Sequence, residues 1–207
     1  MSDNIRVGLI GYGYASKTFH APLIAGMPGM TLAAVSSSDA AKVHADWPSV
    51  PVVSEPKHLF NDPNIDLIVI PTPNDTHFPL AKAALEAGKH VVVDKPFTVT
   101  LSQARELDAL AKSLGRLLSV FHNRRWDSDF LTVKRLLSEG TLGEILFFES
   151  HFDRFRPQVR NRWREQAGPG SGIWYDLAPH LLDQAVNLFG LPVSMTVDLA
   201  QLRPGAQ

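Results

Sequence analysis

The sequence predicts an α/β chain: an N-terminal Rossmann-type domain, a doubly wound parallel sheet, followed by the start of a second, α+β domain. Three observations carry this. Short β-branched runs alternate with helix-like segments over roughly the first 120 residues. The first of those runs empties into a glycine pair, Gly11-Tyr12-Gly13. Beyond His122-Asn123 the rhythm changes to longer, more alternating segments.

The elements follow in order. Ile5–Ile10, Thr31–Ser36, Leu67–Ile70, His90–Val93 and Leu117–Phe121 show little polar/apolar alternation, as expected of strands buried on both faces of a parallel sheet. Asp75 or Thr76 is placed to cap the helix that ends at Gly88. Thr100 with Gln103 forms a capping box for the next helix, which Gly115 closes. Alternation at this spacing implies right-handed βαβ units. A boundary near 124 gives a dinucleotide-binding domain at 1–124 and the start of an α+β second domain at 125–207, which the resemblance described below implies to be the substrate and oligomerisation domain. In the second part a helix over Ser128–Glu139 stops at Gly140, and a strand is expected at Glu144–Asp153. A Gly/Pro-rich loop, Gly168–Gly172, then leads into a helix from about Asp176 to Phe189, and a last strand is expected at Ser194–Leu202. Two strands and two helices make too little for a well-covered sheet, so this domain is expected to be incomplete.

Composition narrows the function. The 207 residues are 44% hydrophobic and 20% charged, with a net charge of −1, which gives no pull toward nucleic acid or an anionic membrane. There is no cysteine, so disulfides, thiolate catalysis and Cys-based zinc sites are excluded. The chain enters a strand at once without an apolar signal core, and no apolar run approaches the ~20 residues that span a bilayer. The cytoplasm is the expected location. The basic run Arg154, Arg156, Arg160, Arg162 and Arg164, interleaved with Phe155 and Trp163, has the look of a nucleic-acid strip. With Asp153 and Glu165 beside it, it reads as a solvated or substrate-facing loop, and no nucleic-acid partner is expected. A metal site built from His122, Asp176, His180 and Asp183 has no support in the spacing, and no metal is expected.

The glycine turn carries the cofactor signal. Gly11 permits the tight strand-to-helix turn, and Gly13 lets backbone approach a pyrophosphate seated on the amides of the following helix. Tyr14 and Ala15 continue the turn, and Ser16 stands where the strict fingerprint has a third glycine. A ribose-binding acid is expected at the tip of the second strand. Here Ser36, Ser37 and Ser38 occupy the tip, with Asp39 only afterwards. Hydroxyls donate to a 2′-phosphate where a carboxylate would repel it, which favours NADP over NAD. The alternatives are that Asp39 swings back to the ribose, or that the serines only cap the next helix.

Two further groups complete a set for hydride transfer. Lys95 and Pro96 end a strand where open α/β sheets bind ligands. Asp176, His180 and Asp183 share one helix face, which Gln184 and Asn187 extend; the bland alternative is a solvated face with Asp176 as helix cap.

The segments GLIGYGYASKTFHAPLI, PTPNDTH, DKPF and GPGSGIWYDLAPHLLD together resemble the glucose-fructose oxidoreductase / inositol dehydrogenase / MocA family. They are most similar to its bacterial NADP-dependent, scyllo-inositol dehydrogenase-like members. The family's Glu-Lys-Pro appears here as Asp94-Lys95-Pro96. The resemblance implies an NAD(P)-dependent dehydrogenase acting on a sugar or polyol. Lys95 matches the lysine that hydrogen-bonds cofactor and substrate, His180 the general acid/base, and Asp176 the carboxylate supporting it. Pro71, Thr72 and Asn74 match the loop beside the nicotinamide, with His77 closing that segment, and Trp163-Arg164 matches a pair that approaches the cofactor. Family members are longer and associate through the second-domain sheet, which implies a homo-oligomer. They also imply an alternative for this chain: a cofactor-binding module without turnover.

Overall fold

The computed structural model describes residues 4–153 and 155–205. The chain divides into two compact units, Met1–Phe121 and His122–Gln207.

The first unit is built on six parallel strands: β1 (Ile5–Ile10), β2 (Met30–Ser36), β3 (Val52–Val53), β4 (Leu67–Ile70), β5 (His90–Asp94) and β6 (Leu118–Phe121). Their order in the sheet is β3-β2-β1-β4-β5-β6. The chain winds outward from β1 to β3, returns to β4 on the other side of β1, and winds outward again. This is the doubly wound Rossmann order, with its crevice between β1 and β4. Alternate residues of the strands feed two cores. Val7, Leu9, Val35 and Val69 pack with Ile24 of α1 (Ala21–Gly26) and Val43 of α2 (Ala40–His44). Ile10, Ile68, Ile70, Val91 and Val93 pack with Leu59 of α3 (Pro56–Phe60), Leu85 of α4 (His77–Glu86) and Leu107 of α5 (Leu101–Ser113). Helices on both faces explain why these strands read as unbroken apolar runs.

The five longer strands lie where the sequence places them, to within a residue. Val52–Val53 is an additional edge strand, too short to leave a periodic signal. The capping box at Thr100 is formed: its side chain accepts from the Gln103 amide and Gln103 Oε1 accepts from the Thr100 amide. Neither Asp75 nor Thr76 caps α4 through its side chain. Thr76 Oγ1 donates instead to the Pro73 carbonyl, at 2.6 Å, across a 3₁₀ turn, Asn74–Thr76. α4 and α5 end in left-handed glycines, Gly88 and Gly115, with paired amide bonds back into the last turn.

In the second unit α6 spans Ser128–Ser138 and α7 spans Gly172–Phe189. α7 begins four residues before the expected start at Asp176, so Pro179 lies in its interior. The two strands expected at Glu144–Asp153 and Ser194–Leu202 are not formed: these segments carry no ladder among the described residues. Alternation supplies a face for a strand but not a partner, and a strand exists only when its amides and carbonyls are paired. Their apolar side chains stay exposed, Leu146, Phe147, Val193 and Leu202 among them.

Thr100→Ala should lower the stability of the first unit by about 1 kcal/mol, the usual worth of such a cap, read by urea unfolding.

Candidate functional site: a cofactor crevice and a polar helix face

Because all six strands are parallel, every strand of the first unit delivers its carboxyl end to one edge of the sheet. That edge collects the glycine turn after β1, the serine tip of β2, the Pro71–Asn74 loop after β4 and the Asp94-Lys95-Pro96 turn after β5.

The glycine turn is fixed from below. Gly11 has φ +80°, a conformation that side-chain-bearing residues rarely adopt, and its amide donates to the Ser36 carbonyl at 2.7 Å. Ser16 takes over the role of a third glycine differently from the fingerprint: it is buried and its hydroxyl donates to the Gly11 carbonyl at 2.9 Å, tying helix to turn. Tyr12 points away from the crevice. It is buried, and its phenol donates to Asp46 Oδ2 at 2.9 Å. Burial pushes that phenol up, and the Asp46 bond adds to it. Lys17 and then Tyr12 hold the Asp46 carboxyl below its ordinary value.

The residues present fit a dinucleotide. A Cβ added at Gly13 would meet no protein atom within 4 Å, so the space before the turn is open, whereas one at Gly11 would face Thr72 Cγ2 at 3.6 Å. Helical backbone starts at Tyr14, which is exposed, with Ala15 behind it, and first-turn amides have no carbonyl of their own helix to bond. Ser36 is buried, Ser37 half-buried and Ser38 exposed at the tip of β2. Asp39 is the N-cap of α2, its Oδ1 accepting from the Lys42 amide at 3.0 Å, while Ser37 Oγ accepts from the Asp39 amide at 3.1 Å. The first carboxylate after the tip therefore has one oxygen engaged at a helix end.

On the other side of the crevice, Asn74 is buried and Pro71 and Thr72 are half-buried. Thr76 gives its proton to Pro73, so the 2.6 Å contact between the Thr72 and Thr76 hydroxyls is donated by Thr72. The Lys95–Pro96 peptide is cis. Asp94 Oδ1 accepts from the Lys95 amide at 2.7 Å, and Asp94 Oδ2 lies 3.4 Å from Nε2 of the buried His20, whose ring packs on Phe121. Burial of the Asp94 carboxyl works against its ionisation, but the bond and charge of His20, with the Lys95 amide and ammonium, outweigh it. The carboxyl is held below its ordinary value. His77 corrects an expectation. Its ring is fully buried, and both nitrogens face backbone carbonyls, of Pro96 at 2.8 Å and of Thr72 at 2.9 Å, so it presents no edge to a cofactor.

In the second unit, α7 carries the polar stripe. Asp176 lies inside the helix, not at its cap, with Oδ1 3.5 Å from Arg164 Nε; the Arg164 guanidinium stacks 4.6 Å from the centroid of Trp163. His180 is buried near Phe152, ring centroids 6.3 Å apart. Asp183 is claimed by Arg125 through two hydrogen bonds of 2.7 and 2.6 Å, with His122 Nδ1 3.8 Å away. Gln184 donates to the Arg124 carbonyl and Asn187 accepts from Lys134, so the lower stripe is structural. Among the described residues no group of three or more His, Asp or Glu side chains is arranged to hold a metal. A cavity of about 440 Å³ opens beside Asp176, lined also by Phe152, Arg156, Arg162, Arg164 and Arg203. Within the basic run, Glu165 gathers the Arg160 amide and the Arg162 guanidinium; Arg154 lies outside the described residues.

Comparison with known proteins agrees with this fold. Residues 5–122 match the model of the Gfo/Idh/MocA oxidoreductase family with an NAD-binding Rossmann fold, and residues 130–207 match the family's C-terminal domain. The chain belongs to the Gfo/Idh/MocA family. It is 89% identical over its full length to the uncharacterised oxidoreductase YdgJ of Escherichia coli, covering 60% of that protein. It is 41% identical over 99% of its length to IolW of Bacillus subtilis, a scyllo-inositol 2-dehydrogenase (NADP+), covering 57% of it. A solved structure of a candidate oxidoreductase from Yersinia pestis, 74% identical, superposes with a TM-score of 0.94 over the whole chain and 58% of its own. The chain thus spans little more than half the length of these Gfo/Idh/MocA relatives. Among the described residues no helix is long and apolar enough to cross a membrane.

The sequence reading missed His20, Asp94 as a half-buried carboxylate, and Arg125. Single polar residues on otherwise amphipathic elements leave no periodic mark; only the FHAP and DKPF segments pointed to the first two.

Because the folded-state pKa of Asp94 lies below the unfolded one, its stabilisation is fully present above the ordinary value of 3.8 and is lost as pH falls below it. Asp94→Ala should cost about 1–3 kcal/mol at neutral pH, since it orphans the Lys95 amide and His20. The gap to wild type should narrow in urea titrations below about pH 4.

Proposed function

We propose that this chain carries the cofactor crevice and the catalytic helix of an NADP-dependent dehydrogenase that moves a hydride between a nicotinamide and a hydroxyl of a sugar or polyol of the inositol type. The observation that carries the cofactor choice is the β2 tip itself, where three serines stand and the first carboxylate, Asp39, has Oδ1 engaged in capping α2. The 41% identity to a protein named as an NADP+-dependent scyllo-inositol dehydrogenase supports both cofactor and substrate class. The cavity beside Asp176 falls within the usual size of small-molecule sites.

In this reading the nicotinamide, when bound, supplies the hydride chemistry. Gly11, Gly13, Tyr14 and Ala15 hold the pyrophosphate, Ser36, Ser37 and Ser38 the adenosine 2′-phosphate, and Pro71, Thr72, Asn74 and Pro96 border the nicotinamide, which Trp163-Arg164 approaches. The Lys95 ammonium stabilises the oxygen that gains negative charge as the carbinol carbon is oxidised. His180 takes the hydroxyl proton, a task suited to imidazole near neutrality. Asp176 binds substrate and keeps His180 in position. The boundary between cofactor and substrate domains falls near residue 124, the protein acts in the cytoplasm, and copies associate through the second-domain sheet.

A second reading, a cofactor-binding module without turnover, is favoured by one observation: among the described residues, the segments expected as strands in the second unit carry no ladder. A turnover screen on inositols and other polyols separates the two.

NADPH should bind more tightly than NADH in a fluorescence titration, and Ser37→Asp should shift preference toward NADH by placing a carboxylate where the 2′-phosphate sits. Equal or reversed wild-type affinities would refute the 2′-phosphate assignment. In a protein competent for turnover, His180→Ala should lower the rate by roughly 10²–10⁴ with little change in NADPH binding. Light scattering should show self-association, because Leu146, Phe147, Val193 and Leu202 are exposed.

A further inference from the structure

The two turns that border the nicotinamide in the proposed reading come from different strands and share one support. His77, the first residue of α4, is fully buried, with Nδ1 2.8 Å from the Pro96 carbonyl and Nε2 2.9 Å from the Thr72 carbonyl. Neither carbonyl belongs to a strand ladder, and a buried carbonyl of irregular backbone needs a donor. Which of the two receives a proton from a neutral ring is set by its tautomer, and an imidazolium serves both. The rigid ring therefore fixes the spacing between the loop after β4 and the turn after β5. The first of these carries Thr72, whose hydroxyl is itself bonded into the Asn74–Thr76 turn and whose methyl borders Gly11. The second carries Lys95, anchored on its other side by Asp94.

We propose that His77 is a positioning residue: a single buried imidazole that registers Thr72 against Lys95 and so shapes the nicotinamide end of the crevice while leaving the adenosine end untouched. The inference rests on the NADP-binding reading above. The adenosine end is built on the serine tip of β2, and the ring nitrogens of His77 reach the Thr72 and Pro96 carbonyls instead.

The test uses the full chain and two probes, NADPH and 2′,5′-ADP, the latter reaching only the adenosine end. In His77→Gln, which keeps a donor but cannot span both carbonyls, NADPH should bind about 10–100-fold more weakly, the cost of a misplaced contact, while 2′,5′-ADP binds as in wild type. His77→Phe, which keeps the ring and loses both nitrogens, should behave at least as severely. Equal weakening of both probes would mark a general loss of packing and overturn the proposal, as would wild-type affinity for both. Amide hydrogen exchange without ligand gives an independent arm: residues 72–76 and 95–98 should exchange faster together in His77→Gln, with β4 and β5 unchanged. Loosening of one turn, of neither, or of the whole unit overturns the coupling, and so does failure of both variants to fold. If wild type binds neither probe, the cofactor reading has failed, and the exchange arm still decides the role of His77.

Discussion

Parallel pairing is the constraint on which the first unit depends. A parallel strand cannot turn straight back on its neighbour, so each must be followed by a crossover on one face of the sheet. The crossovers bury both faces, which is why Val7 and Leu9 meet one set of helices and Ile68 and Ile70 the other. The same constraint sends every carboxyl end to a single edge. Residues as distant in sequence as Gly11, Ser36, Thr72 and Lys95 are neighbours because their strands agree in direction.

That edge is also where the unit spends its buried polarity. Ser16, His20, Ser36, Asn74 and His77 are all buried there, in a unit whose interior is otherwise mostly aliphatic. Buried polar side chains are costly unless bonded, and several of these are bonded to irregular backbone: Ser16 to the Gly11 carbonyl, His77 to those of Thr72 and Pro96. Lys89 does similar work at the amino edge, where Nζ reaches the Ile65 carbonyl at 2.8 Å. Turns that must stay open to a ligand cannot satisfy themselves by pairing with each other. They are held from behind by side chains on the helices.

Much of this was legible in the sequence. Five strands, the capping box at Thr100 and the glycine turn each leave a local mark, because β-branched runs and end signals are local physics. The failures share a cause in tertiary context. Val52–Val53 is a strand only because β2 lies beside it. Glu144–Asp153 and Ser194–Leu202 alternate well and still carry no ladder among the described residues, because pairing is not a property of one segment. α7 starts at Gly172 because Pro179 is tolerated within the helix, where local rules place a proline in the first turn. His77 stands in a motif that suggests ligand contact, and its burial between two carbonyls leaves no local mark in the sequence.

The capping of α2 by Asp39 has a consequence for how this fold could change its cofactor. An acid two or three residues past the strand tip is near enough to serve a ribose, but here it is already holding a helix together. The two duties compete for one side chain, since Oδ1 already accepts from the Lys42 amide. Cofactor preference is thereby coupled to the integrity of a neighbouring helix rather than to the pocket alone. In the NADP reading proposed above, a shift toward the unphosphorylated dinucleotide would be served by a fresh acid at Ser37 or Ser38, or by another cap that releases Asp39.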